Sequence, residues 1–341
     1  MNTHDKLLTV IIPTYNMERY LRYCLDSLLI KENFEALEVL VINDGSKDAS
    51  SLIAHEYANR FPDVFQVIDK DNGNYGSCIN QGLKEATGKY VKVLDADDSY
   101  ETAHFEEFVA YLQGLDADLV LSDFTIVNEA REITKLHRYG FEGGERYLME
   151  EICTMASFID MEMHAVTYRR QLLVDLDYHQ TEGISYTDQQ WIFIPMLRVR
   201  RVYAFNKYVY KYLIGREGQT VSPDVRQRSM EHMMRCIYGM IEDYNKHCHE
   251  MSGAIREYFH ARLKPLIKNV YITMFLAYSR ENKNKLIVFD KNIKNKNRCI
   301  YQLVEDTNYS FNYIKYWRKH MNTSVFVVNS ISRLYLKLVN V

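Results

Sequence analysis

Five short apolar runs, spaced by helical patterns, dominate the first 125 residues. Leu7–Ile12 is rich in β-branched residues and stops at Pro13. Leu37–Ile42 stops at the turn-forming Asn43-Asp44-Gly45-Ser46, and Val64–Ile68, Tyr90–Leu94 and Asp118–Leu121 complete the series. Between them, Leu21, Cys24, Leu25, Leu28 and Leu29 recur at helical spacing, and Ser50–Arg60 and Ala103–Leu112 read as helices. Another helix runs from the turn at Asp71-Asn72-Gly73-Asn74 to about Ala86. Strands separated by helices need crossover connections, which predicts an α/β fold with a mostly parallel central sheet. A strand covered on both faces reads as an unbroken apolar run, as Val39–Ile42 does. Such sheets bind ligands beyond the carboxyl ends of their strands. Three loops occupy those ends: Pro13–Glu18, Asn43–Asp48 and Asp95–Ser99.

Residues 126–220 are mixed in pattern, with a two-stranded ribbon predicted around Val202–Leu213. From about Arg226 the chain reads as mainly helical, interrupted over the Lys- and Asn-rich stretch Glu281–Asn297. The length of 341 residues suits two domains. An apolar content of 47%, with only 14 Gly and 5 Pro, excludes a disordered or collagen-like chain. The net charge of −3 is unevenly spread: residues 251–341 hold 16 Lys and Arg against 5 Asp and Glu. That basic quarter fits either an anionic surface, lipid or phosphate-bearing, or a solvated helical face. The six Cys are scattered without a Cys-x-x-Cys pair, which points to reduced thiols in a cytoplasm and away from a zinc site. No signal peptide is expected, because Leu7–Pro13 is too short for its apolar region. No stretch approaches 18 apolar residues, so no transmembrane helix is expected either.

The sharpest motif is Val93-Leu94-Asp95-Ala96-Asp97-Asp98. Three carboxylates directly after a buried strand repel one another unless a cation joins them. Mg²⁺ or Mn²⁺ takes one or two carboxylates together with substrate phosphates, so a metal–diphosphate clamp is one reading. The other is that Asp97 and Asp98 cap the next helix. Asp44 can accept a hydrogen bond from a base such as uracil, or can belong to a plain turn with Asp48 capping the following helix. Tyr15 can stack on a nucleobase, or pack as an ordinary ring at a strand end. No G-x-G-x-x-G follows the first strand and no G-x-x-x-x-G-K-[ST] occurs, which removes the dinucleotide and P-loop readings.

The ordered set V-I-I-P-T-Y-N, V-I-N-D-G-S-K-D, D-N-G-N-Y-G-S-C-I-N-Q-G-L and A-T-G-K-Y-V-K-V-L-D-A-D-D resembles glycosyltransferase family 2 over roughly residues 6–125. The resemblance implies a GT-A fold and inverting transfer of a sugar from a UDP-sugar with Mg²⁺ or Mn²⁺. It implies a catalytic domain over 1–225, with nucleotide-sugar binding in 1–125 and the acceptor side in 126–225. A helical, basic region over 226–341 follows. By the same resemblance Tyr15 stacks on the base, with Pro13 and Thr14 shaping the pocket wall. Asp44 bonds the uracil, Asp95 faces ribose and sugar with Ala96 beside it, and Asp97 binds the metal. Asn43 stands where the family often has Asp.

Inversion needs a general base for the acceptor hydroxyl. The family carries it at a helix start well after the D-x-D, which in Tyr186-Thr187-Asp188-Gln189-Gln190-Trp191 corresponds to Asp188, with Glu182 as the alternative. Thr187 stands where Glu is usual. Trp191 is read either as a sugar-stacking ring or as core. Arg216, in Gly215-Arg216-Glu217-Gly218-Gln219-Thr220, is read as a solvated loop residue or a diphosphate contact, and His164 as a core histidine or a residue that approaches the site. The implied acceptor is a glycan or lipid-linked oligosaccharide of bacterial surface or capsular polysaccharide synthesis. That implies a cytoplasmic enzyme, peripheral at the inner face of the membrane, with no nucleic-acid partner. A non-catalytic nucleotide- or glycan-binding protein on the same fold is the alternative. The complete set Asp44, Asp95, Asp97 and Asp188 argues against it.

Overall fold

The computed structural model describes residues 6–216, 229–276, 279–305 and 313–320. The chain divides into two compact units, Met1–Ser222 and Pro223–Val341.

The first unit is built on one sheet. Its leading strands are β1 (Leu8–Thr14), β2 (Leu37–Asn43), β3 (Phe65–Asp69) and β4 (Tyr90–Val93), joined by helices α1 (Leu21–Asp26), α2 (Ser50–Arg60) and α3 (Asn74–Glu85). Then come β5 (Ser99–Tyr100), α4 (Thr102–Leu112), β6 (Leu119–Val127), β7 (Ile133–His137) and β8 (Arg146–Leu148). Short helices α5 (Met149–Ile152), α6 (Ala156–Ile159), α7 (Arg170–Asp175) and α8 (Asp188–Trp191) surround β9 (Val166–Arg169), and β10 (Arg201–Leu213) closes the unit. The strand order is β3-β2-β1-β4-β9-β6-β10-β5, with β7 on β6 and β8 on β10.

Strands β3, β2, β1 and β4 run parallel, as crossover helices require. All residues of β1 and β2 are buried, which explains apolar stretches such as Val39–Ile42. Beyond β4 the sheet becomes mixed: β9 runs antiparallel to both β4 and β6, while β6 and β10 are parallel. The predicted ribbon at Val202–Leu213 is instead one strand, paired with β6 along its length. Register shifts between Phe205 and Tyr210 absorb the Asn206-Lys207 pair as an irregularity, where a ribbon needs a turn.

The second unit is helical, with helices Met230–His247, Gly253–Leu276, Arg280–Lys296, Arg298–Leu303 and Tyr313–Lys319. The predicted interruption at Glu281–Asn297 is therefore a helix. Leu286, Phe289 and Ile293 bury one stripe of it, and the Lys and Asn residues occupy the other faces. Asp290 lies in the buried stripe, where Tyr271 Oη donates to it and Arg318 Nε donates at 2.7 Å. Arg318 also donates to Glu305 at 2.8 Å and lies 3.5 Å above the Tyr301 ring. Ile314 and Trp317 are buried beside it. No described helix is long and apolar enough to cross a membrane.

Candidate active site

Because β2, β1 and β4 are parallel neighbours, the loops after Asn43, Thr14 and Val93 emerge along one edge of the sheet. The ladder continues one step into them: Asp44 N–H donates to Thr14 O at 2.8 Å, and Leu94 N–H to Ile11 O at 3.0 Å. Pro13 lies past the last β1–β4 pair, Ile11–Val93, so its missing N–H leaves that ladder intact. Thr14 is buried, while Tyr15 is 46% exposed and offers a ring face at this edge. Two loops are laced together behind it, since Lys47 N–H donates to Asn16 Oδ1 at 2.8 Å and Asn16 N–H to Ser46 Oγ at 3.1 Å.

Asp44 is buried, and its Oδ1 accepts from Lys70 Nζ at 2.6 Å and from Gly73 N–H at 2.9 Å. Asn43 donates through Nδ2 to Asp69 at 2.6 Å, which an aspartate in its place could not do, and accepts from Ser46 N–H at 3.2 Å. Asp48 accepts from the N–H groups of Glu18 and Ser50, both at 3.0 Å. The N-cap of α2 is Ala49, so Asp48 stands one residue ahead of it and ties the turn to the first helical residue.

The Asp95–Asp98 loop is a carboxylate cluster within the protein. Asp98 is fully buried and accepts from Tyr210 Oη at 2.6 Å and Leu213 N–H at 2.7 Å, tying the loop to β10. Helix α4 begins after Glu101 without a side-chain cap, so neither Asp97 nor Asp98 caps it. Burial, with Asp97 and Asp95 adding like charge, raises the Asp98 carboxyl well above the usual carboxylate range. Asp95 accepts from Tyr75 Oη at 2.8 Å; burial, with Asp97 repulsion, pushes its carboxyl up to about 6. Asp97, 7% exposed, is paired with Arg216 Nε, so Arg216 is not a solvated loop residue. Glu217, Gly218, Gln219 and Thr220 of that loop lie outside the described residues. Arg131 Nη1 reaches Asp97 O at 3.2 Å, its guanidinium 4.1 Å from the Tyr23 ring.

His164 joins the cluster. It is 6% exposed, and its ring stacks 4.2 Å from Tyr212. Asp95, Asp98 and His164 each bring one ligand atom, all within 4.8 Å of one another, a grouping compact enough for a metal ion. Its oxygen-rich set beside Asp97 fits Mg²⁺ or Mn²⁺.

Asp188 opens α8 and accepts from Gln189 Nε2 at 2.9 Å. Burial raises its carboxyl, and its charge raises both Asp95 and the Tyr75 phenol, so it belongs to the same electrostatic site. The segment before it is strapped to α3: Asn80 bonds both backbone groups of Gln180, at 2.8 and 3.0 Å, and Gln190 bonds Thr181. Gly76 makes this possible, because a Cβ there would stand 2.4 Å from Thr181 O. Glu182, the alternative base, is exposed and accepts from Asn80 Nδ2 at 2.8 Å. Trp191 is a core residue, 1% exposed against Tyr168 and Tyr178, and offers no face to a sugar.

Sequence reading missed four residues of this neighbourhood: Lys70, Tyr75, Arg131 and Lys92. Only Lys92 carried a signal, a charge inside the buried run Tyr90–Leu94. It is fully buried, and burial pushes its ammonium down to about 7.

The mixed α/β sheet carries its carboxylate loop beyond the carboxyl ends of its parallel strands, where such sheets bind ligands. Residues 9–176 match the family Glycosyl transferase family 2, so this part of the chain is similar to a family 2 domain. The chain is 29% identical over 220 residues to glycosyltransferase GlyA of Streptococcus pneumoniae, covering 62% of this chain but only 31% of GlyA. It is 30% identical over 227 residues to the uncharacterized glycosyltransferase YibD of Escherichia coli, covering 63% of each. The fold is similar to that of TarS 1–349 of S. aureus, solved in complex with UDP-GlcNAc, with a TM-score of 0.71 at 21% identity over 97% of this chain and 92% of that one.

Proposed function

We propose that this protein is an inverting, divalent-metal-dependent glycosyltransferase moving a sugar from a UDP-sugar to a glycan or lipid-linked glycan acceptor. The observation that carries the reading is the grouping of the Asp95–Asp98 carboxylates with Asp188 at the edge where Tyr15 and Asp44 also emerge. The UDP-GlcNAc held by TarS supports a UDP-sugar as donor.

In this reading the exposed Tyr15 ring stacks on uracil. Asp44, oriented by Lys70 and Gly73, accepts its N–H. Asp95 faces the ribose and sugar. Asp97, with Asp95 beside it, would hold a Mg²⁺ or Mn²⁺ ion, which would supply positive charge against the departing diphosphate. Arg216 and Arg131 add fixed cationic charge at the same residue. Asp188 takes the proton of the acceptor hydroxyl as that oxygen attacks the anomeric carbon opposite UDP, and one displacement inverts the centre. Burial strengthens Asp188 as a base by raising its carboxyl. The acceptor belongs to bacterial surface or capsular polysaccharide synthesis, at the cytoplasmic face of the membrane.

Membrane docking, if the acceptor is lipid-linked, falls to the second unit. Within that basic quarter, Tyr313–Lys319 is engaged in packing, with Ile314 and Trp317 buried and the Arg318 side chain covered, and residues 321–341 lie outside the described residues. Arg280, Lys291 and Arg298 are exposed and carry the basic surface instead. Sedimentation with anionic liposomes, lost at high salt, is the expected result.

A screen of nucleotide sugars tests the reading as a whole. UDP release from one UDP-sugar, abolished by EDTA and restored by Mn²⁺ or Mg²⁺, is expected. Turnover indifferent to EDTA, or confined to nucleotides other than UDP, would sink it.

A further inference from the structure

Lys92 is a buried cation that the proposed chemistry does not use. It sits in β4 opposite Val10 of β1. On its other side β4 pairs with β9 only at Tyr90–Arg169 and Val91–Tyr168. From Thr167 to Val166, β9 is bonded to β6 alone. The strands part just before the Asp95–Asp98 loop, and the Lys92 ammonium fills the opening. Its Nζ donates to His164 O at 2.8 Å and to Val166 O at 3.2 Å, and lies 5.9 Å from the centre of the Phe108 ring. No carboxylate among the described residues pairs with it. A buried, unpaired ammonium is costly, and an apolar side chain of the same length would favour folding. What the charge does here is hold two backbone carbonyls of the segment that brings His164 to Asp95 and Asp98.

We infer that Lys92 is a positioning residue of the donor site: its ammonium clamps the 164–166 backbone so that the His164 ring stands against the Asp95 and Asp98 carboxylates. It acts through His164 and touches no substrate. The inference rests on the glycosyltransferase reading for its effect on turnover, but not for its effect on His164.

The test compares the parent with Lys92→Met, which keeps length and loses the donors, and Lys92→Gln, which keeps amide donors without charge. His164 ring signals are followed by ¹⁵N-histidine NMR, assigned with a His164→Gln variant. In Lys92→Met the His164 signals should shift, kcat/KM for the UDP-sugar found by the screen should fall about 10–100-fold, and the midpoint of thermal unfolding should hold or rise. Lys92→Gln should recover part of both losses. Unmoved His164 signals in folded Lys92→Met overturn the inference, as does full kcat/KM. A fall in activity matched by a fall in stability, which Lys92→Gln does not relieve, assigns Lys92 to the fold alone and also overturns it. If Lys92→Met fails to fold, the Lys92→Gln spectrum decides, His164 signals shifted from the parent's supporting the clamp and unmoved ones refuting it. Should the parent turn over no nucleotide sugar, the NMR comparison still stands, so the two failures are distinguishable.

Discussion

Two buried cations, one in each unit, are held in opposite ways. Arg318 in the helical unit meets Asp290 and Glu305, bonds Tyr271 Oη at 3.0 Å and covers the Tyr301 ring. Despite burial, its guanidinium is pushed up by Tyr271 and Asp290. Every charge there has its opposite in contact, so the cluster is closed and needs nothing from outside. Lys92 in the first unit has only carbonyls as hydrogen-bond partners, while Asp95 and Asp98 nearby are bonded by tyrosine hydroxyls and backbone. Burial without neutralisation raises the acids and lowers the lysine. The closed cluster is architecture. The open one stores unbalanced charge, which a metal and a diphosphate can balance.

Four measurements would break or sharpen this contrast. The largest effect belongs to Asp188→Asn, expected to lower transfer by about 10²–10⁴-fold while affinity for the UDP-sugar holds, since a base acts on the acceptor. Selective loss in Glu182→Gln, with Asp188→Asn active, would transfer the role to Glu182.

In the closed cluster, Asp290→Leu takes from Arg318 its more buried carboxylate and leaves Glu305, and should cost about 3 kcal/mol in urea unfolding. UDP-sugar hydrolysis per folded molecule should be unchanged. A specific loss of hydrolysis would show that the helical cluster is more than architecture.

Asp97→Asn in the open cluster should reduce turnover about 10²-fold with the fold intact, since it removes one electrostatic stabiliser. Near-normal turnover at saturating Mn²⁺ would reassign the metal to Asp95, Asp98 and His164.

The smallest effect, taken per pH unit, is a pH dependence of stability. Lys92 titrates near 7 in the folded protein against 10.5 ordinarily. Between those values the unfolded chain binds the extra proton, so stability should rise with pH above 7, by at most about 1.4 kcal/mol per pH unit. Lys92→Met should lack this component of the rise, and equal slopes in parent and variant would mean that Lys92 titrates normally.

Much of this molecule was determined by sequence alone. Apolar runs and the residues that end them located β1 to β4, most plainly β1 and β2, where burial on both faces favours apolar residues. Parallel neighbours then put Tyr15, Asp44 and Asp95–Asp98 at one edge, since their carboxyl ends point the same way. Local patterns failed where partners are distant in the chain. Asn206-Lys207 is absorbed by pairing with β6, and Glu281–Asn297 is helical because one stripe of it finds a core. Only the tertiary structure decided that Trp191 is core, that Arg216 meets Asp97, and that His164 joins the acids while Lys92 holds its backbone. A charge's role depends on what burial brings within a few ångströms of it, and no spacing along the chain encodes that distance.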